Sequence, residues 1–583
     1  MNDQPTEAKI PTAPSALERW LPMFVWLREY QWKQLFVADL VAALSVAALL
    51  IPESIGYASV AGVPAEVGLY AAPLALLAYA VLGGSKVLVV AAAGAVAAIS
   101  ASIVGDLGGG DADQAIVLSS ALALTTGAVF VTAGLLRMGW IANFMSKAVM
   151  AGFVLGMSIQ IIVGQLGKLF GIDLGDGNTF EKLWTIFTDR ADWSGTAMLL
   201  GFGSLLLIVL IGRYAAAVPA ALSAVVISSI LVAMLDPDVE LVAEIPQGLP
   251  TPQLPSGISG SDWLTLLLGG CLVALIGFSE GWGASAAISQ KTGDELDTNQ
   301  EFRATGVSNI GAGIMGGMVV SGSLSKSAAA MSSGARTQMS NVVLAALVLL
   351  TLLILAPAFQ WLPEAALGAV VISAMSESAN PAKVLRLRRQ APVEFGFGLF
   401  TFGCVLVFDL LPAMIAGIVL SIIYLVYRVS FPGRAIVGRI EETGDYESIR
   451  WIAGGRDGVG HSDAAPVPGI LIYRLAAPLI FSNAEAFKQT GKTLVIEAAG
   501  EDRLPHTMIV DCEEISFIDT TGAQALRDLH RYLDQFGIGL RLARLHSEVY
   551  DLIRLDGVGP DTGAVPRDAT IRDAVAASSR PDT

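Results

Sequence analysis

The sequence predicts an α-helical polytopic membrane domain of about 14 segments, arranged as two inverted 7-segment repeats and followed by a small α/β domain. Of the 583 residues, 54% are hydrophobic and 15% are charged, which is typical of a protein with many membrane spans. Hydrophobicity is uneven, because all four histidines lie beyond residue 460, where charged residues also become frequent. The hydrophobic runs, moreover, form two sets of seven.

The hydrophobic runs define the spans and their order. Those of the first set lie near 36–56, 66–83, 93–104, 117–136, 140–167, 194–212 and 218–235, and those of the second near 262–289, 304–317, 324–333, 338–357, 364–377, 393–411 and 412–430. The third member of each set is too short to cross ~30 Å of hydrocarbon at about 1.5 Å per residue. Each repeat is therefore expected to contain one broken span.

Lysine and arginine set the expected orientation. Neither occurs from Tyr214 to Gln290, and the loop 236–261 is acidic, so this loop should face outside. Counting seven spans in each direction places both termini, and the basic cluster between Lys383 and Arg389, in the cytoplasm. Because seven is odd, the two repeats have opposite orientations.

These patterns divide the chain into four parts: a cytoplasmic N-terminal segment 1–33, a membrane domain 34–432 with repeats at about 34–235 and 262–432, a linker 433–465, and a cytoplasmic C-terminal domain 466–583. In the last part, strands are predicted at 470–475, 507–512 and 538–545, and helices at 483–498, 520–536 and 547–555. Since 1–33 contains no compact apolar core before a cleavage-like site, the first run is expected to be a retained span.

Residues 318–338 are polar although they lie inside the second repeat. Val319-Val320 resembles a short strand, and a helix is expected from about Leu324. A helix that begins in mid-membrane directs free N–H groups and its positive dipole end at what precedes it, which favours an anion site. Broken helices of this kind are typical of transporter sites. The alternative is a serine-rich helix-packing face with Lys326 extended to an interface.

Charge balance also points to this stretch. No carboxylate occurs between Glu301 and Glu364, so Lys326 and Arg336 have no acidic neighbour in sequence. In the first repeat, Ser85–Ala91 leads into the short third segment in a similar way. Two short helices with opposed N-termini would enclose one anion, unless the similarity between alanine-rich spans is fortuitous.

Two carboxylates fall within spans, where ionisable groups are expensive to bury and usually functional. Glu280 is expected to be either a proton-binding coupling residue or the structural counter-ion of Lys326. Glu53 follows a proline within the first span and is the second candidate for a functional carboxylate. Alternatively, its side chain lies in water at the loop that follows this span.

The remaining patterns exclude several other functions. Cys271, Cys404 and Cys512 lack metal-ligand spacing, so neither a metal site nor a disulfide framework is expected. No basic patch suits nucleic acid, and no nucleophile motif or nucleotide loop indicates an enzyme.

The motif Asp519-Thr520-Thr521-Gly522 begins a predicted helix, where a phosphate would be well placed. The alternative is simple capping of this helix by Asp519.

Taken together, these residues resemble the sulfate permease (SulP) family of anion transporters, which carry a C-terminal STAS domain. The resemblance covers about 28–560, and its motifs, in order, are Asp39–Ala43, Ile51–Ala58, Ala61–Pro64, Gly68–Tyr70, Gly83–Lys86, Asp297–Glu301, Gly306–Asn309, Ser323–Ser327 and Gly334–Gln338. It implies core and gate subdomains that move against each other, a small cytoplasmic STAS domain and a homodimer.

The resemblance also implies which residues form the site. By position, the substrate site would contain Glu53, Tyr57, Ala93, Ser323, Ser325 and Lys326, with Glu280 as the coupling carboxylate and Thr521 as the phospho-acceptor of the STAS domain. Three positions depart from the commoner family pattern: Ala91-Ala92 replaces Gly-Pro, Glu53 replaces Gln and Lys326 replaces Arg. The first two resemble the bicarbonate-transporting branch, whereas Ser323–Lys326 resembles sulfate-type members.

The expected function is secondary active transport of a small anion (sulfate, bicarbonate or a short carboxylate) by an elevator-type alternating-access motion in the inner cell membrane. Proton coupling through Glu280 is preferred. The alternatives are sodium coupling, with Glu280 and Ser285 as cation ligands, and an uncoupled exchanger or channel. No cofactor is expected beyond a co-transported H⁺ or Na⁺, and the expected partners are the anion, membrane lipid and a cytoplasmic protein at the STAS domain.

Overall fold

The computed structural model describes residues 20–579 except 109–110, 140–145, 176, 216–217, 244, 253, 294–295, 409, 454–462, 502 and 556–565. The chain forms two compact units that divide between Ser421 and Ile422, within the last membrane helix at Leu410–Ser430, which is described with the membrane unit. Of the expected N-terminal segment, residues 1–19 lie outside the described residues.

In its described residues, the membrane unit is helical, with one short strand in each repeat. Helix α1 (Met23–Glu29) lies in the N-terminal segment, before the first repeat. The first repeat contains α2 (Trp32–Val60), α3 (Ala65–Tyr70), α4 (Ala72–Leu82), β1 (Val89–Ala91), α5 (Gly94–Gly108), α6 (Ala112–Leu135), α7 (Lys147–Phe170), α8 (Thr179–Thr188), a 3-10 turn at Arg190–Asp192, α9 (Gly195–Tyr214) and α10 (Ala220–Leu235). The second contains α11 (Gly260–Thr292), α12 (Thr298–Ile314), β2 (Ser321–Ser323), α13 (Leu324–Ser332), α14 (Met339–Leu350), a π turn at Thr351–Leu355, a 3-10 turn at Ala356–Trp361, α15 (Glu364–Ser378), α16 (Pro381–Gln390), α17 (Pro392–Val407) and α18 (Leu410–Ser430).

Hydropathy predicted these helices well. Every expected run overlaps a helix, and within the described parts of the chain eight helices are long and apolar enough to cross a membrane. The elements of the two repeats follow the same order, including the strand and short helix at the third position. Each repeat also has a short helix that hydropathy did not predict, α8 in the first and α16 in the second, between its fifth and sixth members.

The C-terminal unit is built on one mixed sheet. Its strands are β3 (Arg434–Ile440), β4 (Tyr446–Ala453), β5 (Ala464–Ala465), β6 (Ile470–Leu475), β7 (Thr507–Asp511), β8 (Gly539–Ala543) and β9 (Arg567–Asp568), in the order β4-β3-β6-β7-β8-β9 with β5 beside β3. The strands from β6 to β9 are parallel. Its helices are α19 (Ala484–Gly500), α20 (Thr520–Asp534), α21 (Ser547–Leu555) and α22 (Ile571–Ser578).

The predicted fold class is confirmed, with one correction at the domain boundary. The segment 433–465 was expected to be a linker, but β3 and β4 lie within it, and β3 pairs antiparallel with β6 at the centre of the sheet. The C-terminal sheet therefore begins soon after α18, at Arg434.

Candidate anion-binding site

The two broken spans meet through their strands. β1 and β2 pair antiparallel, with Val89 opposite Ser323 and Ala91 opposite Ser321. Because each strand leads directly into a short helix, α5 and α13 start at opposite ends of this ladder and run away from it. The positive ends of both helix dipoles are thus directed at the same region, which is the arrangement the repeat predicted.

The second strand begins two residues later than the sequence indicated. Val319-Val320 was expected to form the strand, but Asn309 Oδ1 accepts a hydrogen bond from Val320 N–H at 3.0 Å and Asn309 Nδ2 donates to Val320 C=O at 2.9 Å. With both backbone groups of Val320 engaged by a side chain, the ladder starts at Ser321. The amide supplies the hydrogen bonds that irregular backbone requires at membrane depth.

Helix α11 crosses this ladder at very short range because two glycines meet there. A Cβ atom on Gly322 would lie 2.9 Å from Gly281 Cα, closer than side-chain carbon atoms pack. The crossing brings Glu280, on α11, beside β2, and its carboxylate accepts a long hydrogen bond of 3.5 Å from Ser321 Oγ.

Lys326 is buried at the start of α13, with 1% of its side chain exposed, and its Nζ lies 2.6 Å from Glu53 Oε2. The same ammonium donates to Ala92 C=O at 3.2 Å and lies 5.2 Å from the centre of the Tyr57 ring. The counter-ion of Lys326 is therefore Glu53, which corrects the alternative that assigned this role to Glu280. Glu53 is buried as well, so the alternative that placed it in water is wrong.

The expected substrate-binding residues come together around this ion pair. Glu53 and Tyr57 lie on α2, Ala93 follows the carbonyl that Lys326 contacts, and Ser323 and Ser325 lie at the start of α13. Ser325 is exposed and its Oγ lies 3.2 Å from Ser323 Oγ. The site therefore offers a charged amine, hydroxyl groups and two helix starts within one small region.

Helix α15 closes one side of the site. A Cβ atom on Gly94, at the start of α5, would lie 2.4 Å from Met375 Cε. Glu377 follows on the same helix, is exposed and interacts electrostatically with Glu53 and Tyr57. Sequence analysis missed Glu377 because it lies at the end of a predicted span, where a solvated carboxylate is ordinary.

Ser285, expected to share a sodium site with Glu280, forms its hydrogen bond with a different carboxylate. Its Oγ donates to Glu301 Oε2 at 3.3 Å, and the same carboxylate accepts from Tyr79 OH at 2.7 Å and from Gly84 N–H at 2.9 Å. The expected sodium ligands Glu280 and Ser285 thus have different hydrogen-bond partners.

Several residues that hold the broken spans were also missed as functional. Ser327 Oγ accepts from Val89 N–H at 2.8 Å and so joins β1 to α13. Two side-chain amides hold the chain that precedes β1. Gln338 Nε2 donates to Ser85 C=O at 2.7 Å, and Asn341 Nδ2 donates to Leu88 C=O at 2.7 Å. The family motifs contain Ser327 and Gln338, but a motif alone does not reveal which backbone group its side chain contacts.

Thr521 lies in the C-terminal unit, exposed in the first turn of α20. Asp519 caps this helix, because its Oδ1 accepts from Gly522 N–H at 2.7 Å, while its Oδ2 accepts from Phe481 N–H at 2.7 Å. The capping interpretation of this motif is confirmed, and Thr521 remains a candidate phospho-acceptor.

Two family models match the chain, that of the sulfate permease family over residues 36–401 and that of the STAS domain over residues 462–574. The chain belongs to the sulfate permease family. It is 32% identical over 561 residues to a probable sulfate transporter of Mycobacterium tuberculosis, a match that covers 95% of this chain and 97% of that protein. It is also 27% identical over 565 residues to the chloroplastic sulfate transporter 4.1 of Arabidopsis thaliana, covering 93% and 80% of the two proteins.

Solved structures share the fold of this family member. Murine solute carrier 26 family member A9, an anion transporter in the inward-facing state, superposes with a TM-score of 0.85 at 23% identity over 98% of this chain and 97% of that one. The transmembrane domain of the cyanobacterial bicarbonate transporter BicA gives a TM-score of 0.57 at 20% identity over 67% of this chain and 96% of that one. Its membership of the sulfate permease family makes the protein a multi-pass membrane transporter of an anion-transporting family.

Proposed function

We propose that this protein is a secondary active transporter that carries sulfate into the cell together with a proton, by an elevator-type motion. The observation that carries the proposal is the buried pair of Lys326 and Glu53, 2.6 Å apart, at the point where the two broken spans meet. Sulfate comes before bicarbonate and short carboxylates as the candidate anion because one relative named above is a sulfate transporter and the other a probable sulfate transporter.

The chemistry of the site suits a small oxyanion. Lys326 supplies a compact ammonium donor whose charge is balanced by Glu53, and Ser323 and Ser325 supply hydroxyl donors at the start of α13. Free N–H groups at a helix start add donors and a favourable dipole. A point charge with hydroxyl donors imposes less planar geometry than a guanidinium, so it accommodates a tetrahedral anion as well as a planar one.

Charge arithmetic supports coupling through Glu280. Lys326 and Glu53 neutralise each other, which leaves Glu280 and the exposed Glu377 as negative groups near the site. An arriving anion is repelled by both carboxylates. A proton on Glu280 removes one of these charges, so proton binding and anion binding favour each other, and by linkage this coupling is reciprocal.

Sodium coupling to bicarbonate is the second candidate, because a cation at Glu280 would relieve the same repulsion. A sodium ion needs several oxygen ligands, and Ser285, expected to be one of them, instead donates to Glu301. The donor set around Glu280 therefore supports a proton better than a metal cation. An uncoupled exchanger or channel would not need Glu280 to change its charge.

The proposed motion takes α5, α13 and the bound anion past α15. The contact of Gly94 with Met375 brings α15 directly against the start of α5, so a rigid-body displacement at this surface would move the site relative to α15. We further propose a homodimer in the inner cell membrane with both termini in the cytoplasm, and a cytoplasmic partner for the STAS domain.

The test is uptake of labelled sulfate, bicarbonate and fumarate into proteoliposomes under an inward proton gradient or an inward sodium gradient. Concentrative sulfate uptake driven by protons, and lost in Glu280→Gln, is the expected result. Accumulation driven by sodium alone would overturn proton coupling. Equilibration without accumulation under either gradient would instead indicate an exchanger or channel.

A further inference from the structure

Helix α8 (Thr179–Thr188) presents three chemically different faces. Phe180, Trp184 and Phe187 are spaced i, i+4 and i+7, so they share one face, and they are 56%, 71% and 57% exposed. A second face is polar and carries Glu181, Thr185 and Thr188. The third is buried, with Thr179 at 2% and Ile186 at 4% exposure.

The helix is held firmly at the ends of two membrane spans. Asn178 and Glu181 form a capping box at its start, and Trp193 Nε1 donates to Ile186 C=O at 3.2 Å. The Trp193 ring in turn packs on Phe170, the last residue of α7, with ring centres 4.5 Å apart. Since α7 ends and α9 begins at the membrane boundary, α8 is fixed at that depth.

The second repeat has a counterpart that is much more basic, because α8 carries a single lysine, Lys182, beside Glu181. Helix α16 occupies the same place in its repeat as α8 does in the first, but it carries Lys383, Arg386, Arg388 and Arg389. Five spans precede α8 and twelve precede α16, so the two helices lie at opposite membrane faces. Because basic residues concentrate on the cytoplasmic side, α8 belongs to the outer face.

The span that follows α8 also exposes apolar side chains. On α9, the next helix, Leu199 and Leu206 are 76% and 58% exposed, as expected for a span whose apolar side chains face hydrocarbon. Exposed tryptophan and phenylalanine on a short helix between two such spans are typical of helices that lie in the plane of the interface.

We infer that α8 is an interfacial helix of the outer leaflet, with Phe180, Trp184 and Phe187 inserted at the boundary between lipid headgroups and acyl chains. Glu181 and its neighbours on the polar face then remain in water. The partner is lipid, and the contact holds the outer ends of α7 and α9 at a fixed depth.

The inference is tested by the depth of spin labels in the full-length protein. In a background with Cys271→Ser, Cys404→Ser and Cys512→Ala, a nitroxide is attached to Trp184→Cys, to Phe187→Cys on the same face, or to Glu181→Cys on the polar face as the matched control. Each protein is reconstituted into vesicles of phosphatidylethanolamine and phosphatidylglycerol. Collision rates with oxygen, which enters lipid, and with a water-soluble nickel chelate are then measured.

The labels at 184 and 187 are expected to collide readily with oxygen and several-fold less with the nickel chelate than the label at 181. Equal nickel accessibility at all three positions would place the aromatic face in water and overturn the inference. Shielding of 184 and 187 from both reagents would overturn it in a different way, by showing that protein, such as a second copy of this chain, covers the face.

Discussion

Lys326 Nζ and Glu53 Oε2 lie 2.6 Å apart in the buried centre of the membrane unit, and they join the broken span of one repeat to the first span of the other. Each charge would be unstable there alone, because the energy of desolvating an ion in the membrane is compensated only by a close partner. The pair therefore stabilises the fold at the same place where an anion is proposed to bind.

Replacing Lys326 by alanine should abolish sulfate binding and transport and also destabilise the protein. Removal of one member of a buried pair destabilises by about 3–5 kcal/mol, because the other charge is left without a partner. Sulfate binding by calorimetry and the melting temperature of the detergent-solubilised protein measure the two effects separately.

The matched control combines Lys326→Met with Glu53→Gln. Since this double variant contains no uncompensated charge, we expect it to recover most of the melting temperature while sulfate binding remains absent. Binding that returned along with stability would show that Lys326 acts through the fold alone.

Glu280→Gln should retain sulfate exchange across the vesicle membrane and lose uptake against a gradient. Glutamine can still form a hydrogen bond with Ser321, which lies 3.5 Å from the carboxylate, but it cannot exchange a proton. Counterflow and gradient-driven uptake are measured on the same vesicles, and unchanged concentrative uptake would remove Glu280 from the coupling role.

Asn309→Leu should loosen β2 and lower both stability and transport rate. The substitution leaves the N–H and C=O groups of Val320 without the hydrogen bonds that Asn309 supplies at 3.0 and 2.9 Å. Each orphaned buried group destabilises by about 1–3 kcal/mol. The melting temperature is measured by thermal unfolding. A variant that melts at the same temperature as the native protein would show that the Asn309 amide does not stabilise the start of β2.

Gly522→Ala should perturb the start of α20 in the C-terminal unit. A Cβ atom there would lie 2.3 Å from Leu479 C=O, so the helix must shift, at about 1–3 kcal/mol for overpacking of this kind. Faster hydrogen exchange in α20 than in the native protein is the expected observation. Gly500→Ala is the control, because its added Cβ meets open space, and equal exchange in the two variants would contradict the prediction.

Cys512 should resist alkylation in the folded protein at pH 8. Burial, reinforced by the neighbouring Asp511 carboxylate, raises the pKa of the Cys512 thiol, so the reactive thiolate is scarce. In the unfolded protein the thiol ionises at pH ~8.5, whereas in the folded protein it stays protonated. The unfolded state therefore binds fewer protons above that pH, and the free energy of unfolding should fall as the pH rises further.

The measurement is the rate of maleimide labelling in a variant with Cys271→Ser and Cys404→Ser, before and after denaturation. Labelling that is equally fast in both states would show that Cys512 is accessible as a thiolate in the native fold.

The sequence predicted the spans, their inverted order and most elements of the C-terminal unit, because hydropathy and alternation are local properties. It failed where a distant side chain decides the local structure. Val319-Val320 has the composition of a strand, but the side-chain amide of Asn309 hydrogen-bonds the N–H and C=O groups of Val320. The β1–β2 ladder therefore begins at Ser321.

Long-range pairs were equally inaccessible to sequence reasoning. The expectation that Lys326 needs a compensating charge was correct, but its partner lies on a helix of the other repeat, and no spacing rule connects α2 with α13. The strands β3 and β4 were missed for a related reason. Their residues, such as Arg434 and Glu447, are polar enough to resemble a linker in the sequence. What makes β3 a strand is its pairing with β6, which is a long-range contact.

The three-residue ladder of β1 and β2 has a consequence for biosynthesis. When the ribosome has completed the first repeat, β1 has entered the membrane without the strand that will pair with it. Its backbone groups remain unsatisfied until the second repeat is inserted, and hydrocarbon offers them no substitute. A chain that ends after α10 should therefore be retained by the insertion machinery or degraded, although its sequence contains a full set of seven segments. The two repeats should thus reach their folded state only together.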